Sequence, residues 1–196
     1  MIVVLVPWRP TPDREPLWQW VHQHLSRLGY PIHTGDSDTE IFSLARGFNA
    51  AADRPWDKAI LSEADVFVDL TQITEALEVP ADLTYCYDAH LRLDPGETDQ
   101  LLHRSVLPRR HPTAAQSRMG SNGVRVVTRR LWDQLTGYDP GFVGWGAEDN
   151  DFLARARALT DPKRIPGIMY ELHHERDPSY LAAVGENRRR LQVRHG

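Results

Sequence analysis

Short apolar runs alternate with helix-length amphipathic stretches along most of this chain, and that alternation is the strongest constraint on how it can fold. Residues 2–6 (Ile2, Val3, Val4, Leu5, Val6) are continuously apolar and stop at Pro7. Residues 13–28 then place Leu17, Trp18, Val21, Leu25 and Leu28 three and four apart, one helical face closed by Gly29. The pattern repeats. Strands are predicted over 32–34, 58–62, 66–68, 83–87, 123–128 and 168–172, and helices over 42–52, 71–78, 129–135, 148–159 and 180–193. Strand and helix in alternation predict an α/β fold, with a mostly parallel sheet flanked by helices and right-handed crossovers. Residues 88–118 lose periodicity and gain Pro, His and Arg. So long a stretch without regular structure reads as a functional loop or lid.

With 196 residues, 41% of them hydrophobic, the chain buries one good core, so 1–196 is expected to be a single domain. A net charge of -4 gives no general attraction to nucleic acid or to an anionic membrane, so any anion site must be local. Cys86 is the only cysteine, which excludes an intrachain disulfide framework and a thiolate metal cluster and fits a reducing compartment. The apolar start is too short for a membrane span and lacks a basic leader, so a cytoplasmic protein is expected.

Ligands of open α/β sheets sit beyond the carboxyl ends of the strands. The polar residues at those positions are Trp8-Arg9, Glu63 and Asp65, the Gly120-Ser121-Asn122-Gly123 turn, and His173-His174. A further oddity lies at 144–151, where Glu148, Asp149 and Asp151 crowd directly behind Trp145, itself set between Gly144 and Gly146. Acids in the first turn of a helix stabilise it through the macrodipole, and Asp151 is assigned to that role. Capping does not account for a Trp between two glycines.

These segments, in this order, resemble GT-A fold (Rossmann-like) glycosyltransferases, specifically the β-1,4-galactosyltransferase group and the galactosyltransferase-like end of glycosyltransferase family 2. The likeness runs from Val3 to about Asp177, with 88–118 poorly matched. It rests on Pro7-Trp8-Arg9, on Arg46 and Asn49 three apart, on Glu63-Ala64-Asp65 in place of Asp-x-Asp, on Gly120 to Gly123 and on Gly137-Tyr138-Asp139. The string Trp145-Gly146-Ala147-Glu148-Asp149-Asn150-Asp151 and the late His174 complete it. Two positions depart from the family pattern: Glu63 stands for Asp, and Ala147 for the second Gly of the string.

The resemblance implies transfer of a hexose from a UDP-sugar to an acceptor hydroxyl with inversion. Such a transfer passes through an oxocarbenium-like transition state, as in glycoside hydrolysis. A nucleoside diphosphate is a good leaving group, so a divalent cation on its phosphates can replace the general acid, and one carboxylate then suffices as base. By that resemblance Asp149 is the general base. Asp65 and His174 hold Mn²⁺ (or Mg²⁺), the mixed oxygen and nitrogen shell favouring Mn²⁺. Trp145, Gly146, Glu148, Gly120 and Gly123 meet the sugars, the Trp ring covering an apolar C–H face while acids take hydroxyls. Pro7, Trp8, Arg9, Arg46 and Glu63 meet the nucleotide, and Arg109, Arg110 and His111 the diphosphate. The acceptor is a glycan, a protein or a small molecule. Three alternatives stay open: a retaining N-acetylgalactosaminyltransferase-like enzyme, a metal-dependent phosphohydrolase, and a weakly active or inactive nucleotide-sugar-binding module.

Overall fold

The computed structural model describes residues 1–108, 110–111, 120–175 and 183–195. Its central strand β1 (Ile2–Pro7) is buried from Val3 to Pro7, and such a continuously apolar run is what a strand covered on both faces requires. It lies between β2 (Ile32–Gly35) and β3 (Lys58–Leu61), both parallel to it. Beyond β3 the sheet changes character. Strand β7 (Arg125–Thr128) inserts antiparallel between β3 and β5 (Leu83–Tyr85), and β8 (Lys163–Arg164) closes the edge parallel to β5. The strand order is β2-β1-β3-β7-β5-β8.

This reversal matters for the site. Because Leu61 at the carboxyl end of β3 pairs with Arg125 at the amino end of β7, the turn before β7 arrives on the same rim as the residues after β3. Gly123 there donates its backbone N–H to Glu63 Oε1 at 2.9 Å. Gly123 has φ +81, and a Cβ on it would lie 2.0 Å from the Met169 sulfur, so glycine is needed on both counts.

A second sheet of three strands stands beside the first. Strand β4 (Val66–Val68) pairs antiparallel with β9 (Ile168–Glu171), and β6 (Ala89–Arg92) lies parallel to β9 on its other side. Val66 is opposite Glu171, and one residue further out the backbone N–H of Leu172 donates to the Asp65 carbonyl at 2.8 Å. That register brings the end of β9 beside the start of β4.

The helices are α1 (Glu15–Ser26), α2 (Leu44–Ala51), α3 (Leu70–Glu78), α4 (Pro95–Arg104), α5 (Arg129–Leu135), α6 (Glu148–Arg157) and α7 (Val184–His195). Helix α1 buries Leu17, Trp18, Val21 and Leu25, the face anticipated from spacing. Helix α2 lies close on β1 and β2, where Gly47 touches Pro7 and leaves no room for a side chain. Residues 180–182 of the expected last helix lie outside the described residues.

The expectation that 88–118 lacks regular structure is corrected over 89–104, which form β6 and α4. Helix α4 starts at a capping box in which Asp94 takes the Glu97 N–H and Glu97 takes the Asp94 N–H, with Pro95 in the first turn. It buries only Thr98 and Leu101, so no apolar stripe announces it. None of the helices among the described residues is long and apolar enough to cross a membrane.

Candidate active site

Asp65 and His174 meet. The side chain of Asp65 is buried at the junction of the two sheets, and its Oδ2 lies 2.8 Å from His174 Nε2. The β4–β9 register accounts for the meeting, since both residues stand just outside the paired ends. The neighbouring His173 has its ring 3.7 Å from Glu175 instead. Burial pushes the Asp65 carboxyl up, but Arg14 and His174 outweigh it and hold it down at about 2. The same hydrogen bond raises the His174 imidazole above its ordinary value. Asp65 Oδ1 is buried without a hydrogen-bond partner, an orphaned anion oxygen beside an imidazole. That donor set fits a divalent cation, with the remaining positions left to other oxygens. Among the described residues no group of three or more His, Cys, Asp or Glu is placed to hold a metal alone.

A cavity opens at this point, lined among others by Glu63, Asp65, Asn122, Trp145, Glu171 and His174. Trp145 is 40% exposed beside it, held by Gly144 at φ +69 and Gly146 at φ +103. The two glycines set a backbone path that L side chains rarely follow, and the ring is left standing at the surface. Glu63 is half-buried, and its proton affinity rises well above the carboxylate range through burial and the charges of Asp149 and Asp65.

Behind the cavity α6 begins with Glu148 and Asp149, both buried. Asp149 Oδ1 accepts from Arg125 Nη2 at 2.6 Å and from the Tyr138 hydroxyl at 2.7 Å. Arg125 is wholly buried, packed against the rings of Phe48, Tyr85, Tyr138 and Phe152, and donates to the Gly123 carbonyl at 2.6 Å. Burial raises the Asp149 carboxyl even against Arg125. Glu148 is pushed up to about 8 by burial and by the charge of Asp149, and its Oε2 has no hydrogen-bond partner.

The other expected residues fall around this centre without lining the cavity. Pro7 ends β1, and Trp8 packs at a tilt against Trp18. Arg9 is tied to Asp36 at 2.8 Å and lies over the Phe42 ring, which is itself in the cavity wall. Arg46 donates to the Pro140 carbonyl, and Asn49 exchanges two hydrogen bonds with the Tyr138 backbone. These two residues clamp the 138–140 loop that delivers the Tyr138 hydroxyl. The Gly120 carbonyl accepts from Arg164. Arg110 is bound by Glu97 at 2.6 Å and by the Arg92 carbonyl, His111 is exposed, and Arg109 lies outside the described residues. Asp151, an acid in the first turn of α6, is buried in full and takes Arg155 at 2.7 Å and His195 of α7 at 2.8 Å.

Sequence reading missed Arg14, Arg92, Arg125 and Glu171. Arg125 had a signal, a lone cation inside the apolar run Val124 to Val127, where a buried charge demands a partner. Arg14 had none.

Residues 103–175 match the family described as the N-terminal domain of galactosyltransferase. Among solved structures, the catalytic domain of Drosophila beta1,4-galactosyltransferase 7 in complex with xylobiose superposes with a TM-score of 0.60 at 19% identity, covering 88% of this chain and 71% of that one. A mutant of the Drosophila enzyme in complex with manganese, UDP-Gal and xylobiose gives the same values. S. aureus TarS superposes with a TM-score of 0.51 at 12% identity over 98% of this chain and 64% of that one. No curated protein matches the chain. The fold is therefore that of the GT-A glycosyltransferases. The matched segment spans α5, α6 and the acids behind Trp145, so the part of the chain that resembles the galactosyltransferase domain is the part that carries this site.

Proposed function

We propose that this chain, working as one GT-A unit, is a glycosyltransferase that transfers a hexose from a UDP-sugar to an acceptor hydroxyl with inversion at the anomeric carbon. The observation that carries the reading is the 2.8 Å approach of His174 Nε2 to Asp65 Oδ2 at the cavity that Trp145 borders. The manganese and UDP-Gal bound in the Drosophila relative support the same chemistry here.

Asp65 and His174 would hold the cation, Mn²⁺ in preference to Mg²⁺ because one donor is an imidazole. When bound, it supplies the charge that stabilises the departing diphosphate. Trp145 gives the sugar an apolar platform. Glu148, neutral below about pH 8, donates a hydrogen bond to a sugar hydroxyl. Asp149 takes the acceptor proton on Oδ2, since Arg125 and Tyr138 both donate to Oδ1 and fix the carboxylate plane. Its raised proton affinity suits a base better than an ordinary exposed aspartate would. The acceptor oxygen then bonds to the anomeric carbon as the bond to the diphosphate oxygen breaks, and UDP leaves with the electron pair. Pro7, Trp8, Arg9 and Arg46 shape the nucleotide end through the β1 and α2 termini. Gly120 and Gly123 keep the turn before β7 low enough for the donor sugar.

The test is incubation with UDP-hexoses, Mn²⁺ and a panel of sugar acceptors, following UDP release and the product anomer by NMR. Acceptor-dependent release and inverted configuration are expected. Retention of configuration overturns the mechanism, and UDP-sugar consumption with water alone points to a phosphohydrolase.

A further inference from the structure

Arg14, the residue before α1, reaches into the site from a direction the motifs do not announce. Its Nη2 lies 3.2 Å from Asp65 Oδ2, the same oxygen that His174 approaches at 2.8 Å. Its side chain is 21% exposed, and its Nε is buried without a hydrogen-bond partner. Arg14 also lines the cavity, with Glu63, Asp65, Trp145 and His174. An arginine and a histidine thus converge on one carboxylate oxygen.

A guanidinium and a divalent cation on one carboxylate oppose each other, since their charges repel at close range in a poorly solvated pocket. Asp65 Oδ1 is open to a cation while Arg14 holds Oδ2, but two cations then face each other across one carboxylate, which favours Arg14 moving off. A displaced arginine facing a half-enclosed cavity needs a new anionic partner, and a phosphate group is the one its planar fork suits best. The other arginines near the cavity are already held, Arg92 by Glu171 at 2.9 Å and Arg9 by Asp36 at 2.8 Å. The cavity measures about 110 Å³, below the roughly 300–1,000 Å³ of a ligand-filled cleft, so as it stands it encloses only part of a nucleotide sugar.

We propose that Arg14 is an interlock between metal and donor: in the nucleotide-free protein it occupies Asp65 and opposes the cation, and it transfers to the diphosphate when a nucleoside diphosphate binds. The inference rests on the metal reading of Asp65 and His174 given above. Such coupling is reciprocal, so the cation and the nucleotide each strengthen the other's binding.

Electron paramagnetic resonance of free Mn²⁺, titrated with the full chain with and without UDP, reads this without any turnover. The wild type is expected to bind Mn²⁺ weakly alone and more tightly with UDP. Arg14→Met should tighten Mn²⁺ binding in the absence of UDP by about 5- to 100-fold, the usual span of such couplings, and shrink the gain that UDP brings. Arg14→Lys keeps the charge and should restore much of the opposition to Mn²⁺ alone, which guards against a Met variant that fails to fold. Equal Mn²⁺ affinity of wild type and Arg14→Met in the absence of UDP overturns the interlock while leaving the metal site standing. No Mn²⁺ binding by any of the three, with or without UDP, overturns the metal site and the interlock together.

Discussion

Arg125 Nη2 donates to Asp149 Oδ1 at 2.6 Å, and neither side chain has more than a sliver of contact with solvent. The pair joins β7 to the start of α6, and four aromatic rings pack around the guanidinium. Removing one member of a buried pair leaves the other charge uncompensated, which costs roughly 3–5 kcal/mol. Arg125→Met should therefore lower unfolding free energy by about that amount in urea denaturation. A loss under about 1 kcal/mol would mean that the pair is not enclosed as described.

Asp149→Asn keeps the shape and removes the proposed base. Transfer should fall by about 10²- to 10⁴-fold, the span of general base catalysis, while UDP binding in the presence of Mn²⁺ stays close to wild type. UDP-release kinetics and calorimetry on the same preparation separate the two effects. Near-normal turnover would place the base elsewhere.

Glu148 makes stability depend on pH. Its folded carboxyl is raised to about 8 from an ordinary 4.5, so between those values the folded protein keeps a proton that the unfolded chain has lost. Stability from this group therefore declines as pH rises from about 4.5 through about 8. Glu148→Gln removes the titration, and its melting temperature should fall less steeply than that of the wild type over this range. Parallel melting curves would show that Glu148 ionises in the fold as it does in water.

Ala147 holds φ +76 at the start of α6, a left-handed conformation that costs an L residue about 1–2 kcal/mol. Ala147→Gly relieves that strain and should raise stability by about 0.5–1 kcal/mol, after the lost methyl contact and the looser unfolded chain are subtracted. Thermal melts settle the sign. A destabilised variant would mean that the methyl packs better than the backbone strain costs.

Much of this was legible because strands and helices carry their own periodicity. The strand at residues 2–6, buried from Val3 onward, and the Leu17, Trp18, Val21, Leu25 face of α1 read correctly from spacing alone. Helix α4 did not, because it buries two residues and is specified by its Asp94 and Glu97 cap, a local hydrogen-bond pattern without apolar spacing. The antiparallel insertion of β7 also escaped notice, since the side-chain pattern of a four-residue strand does not reveal its direction. The site divides the same way. Asp65, His174, Trp145, Glu148 and Asp149 stand out as motif residues and do gather at or directly behind one cavity. Arg14 and Arg125 matter through contacts between distant segments, which spacing does not encode.

The central claim is that Asp65 and His174 grip one cation on which the nucleotide depends, and calorimetric titration of UDP tests it most directly. Wild-type protein should bind UDP tightly with Mn²⁺ and weakly after chelation, and Asp65→Asn and His174→Ala should each lose affinity in the presence of Mn²⁺ by at least about tenfold, equal to about 1.4 kcal/mol. UDP binding that is indifferent to Mn²⁺ and unchanged in both variants would contradict it.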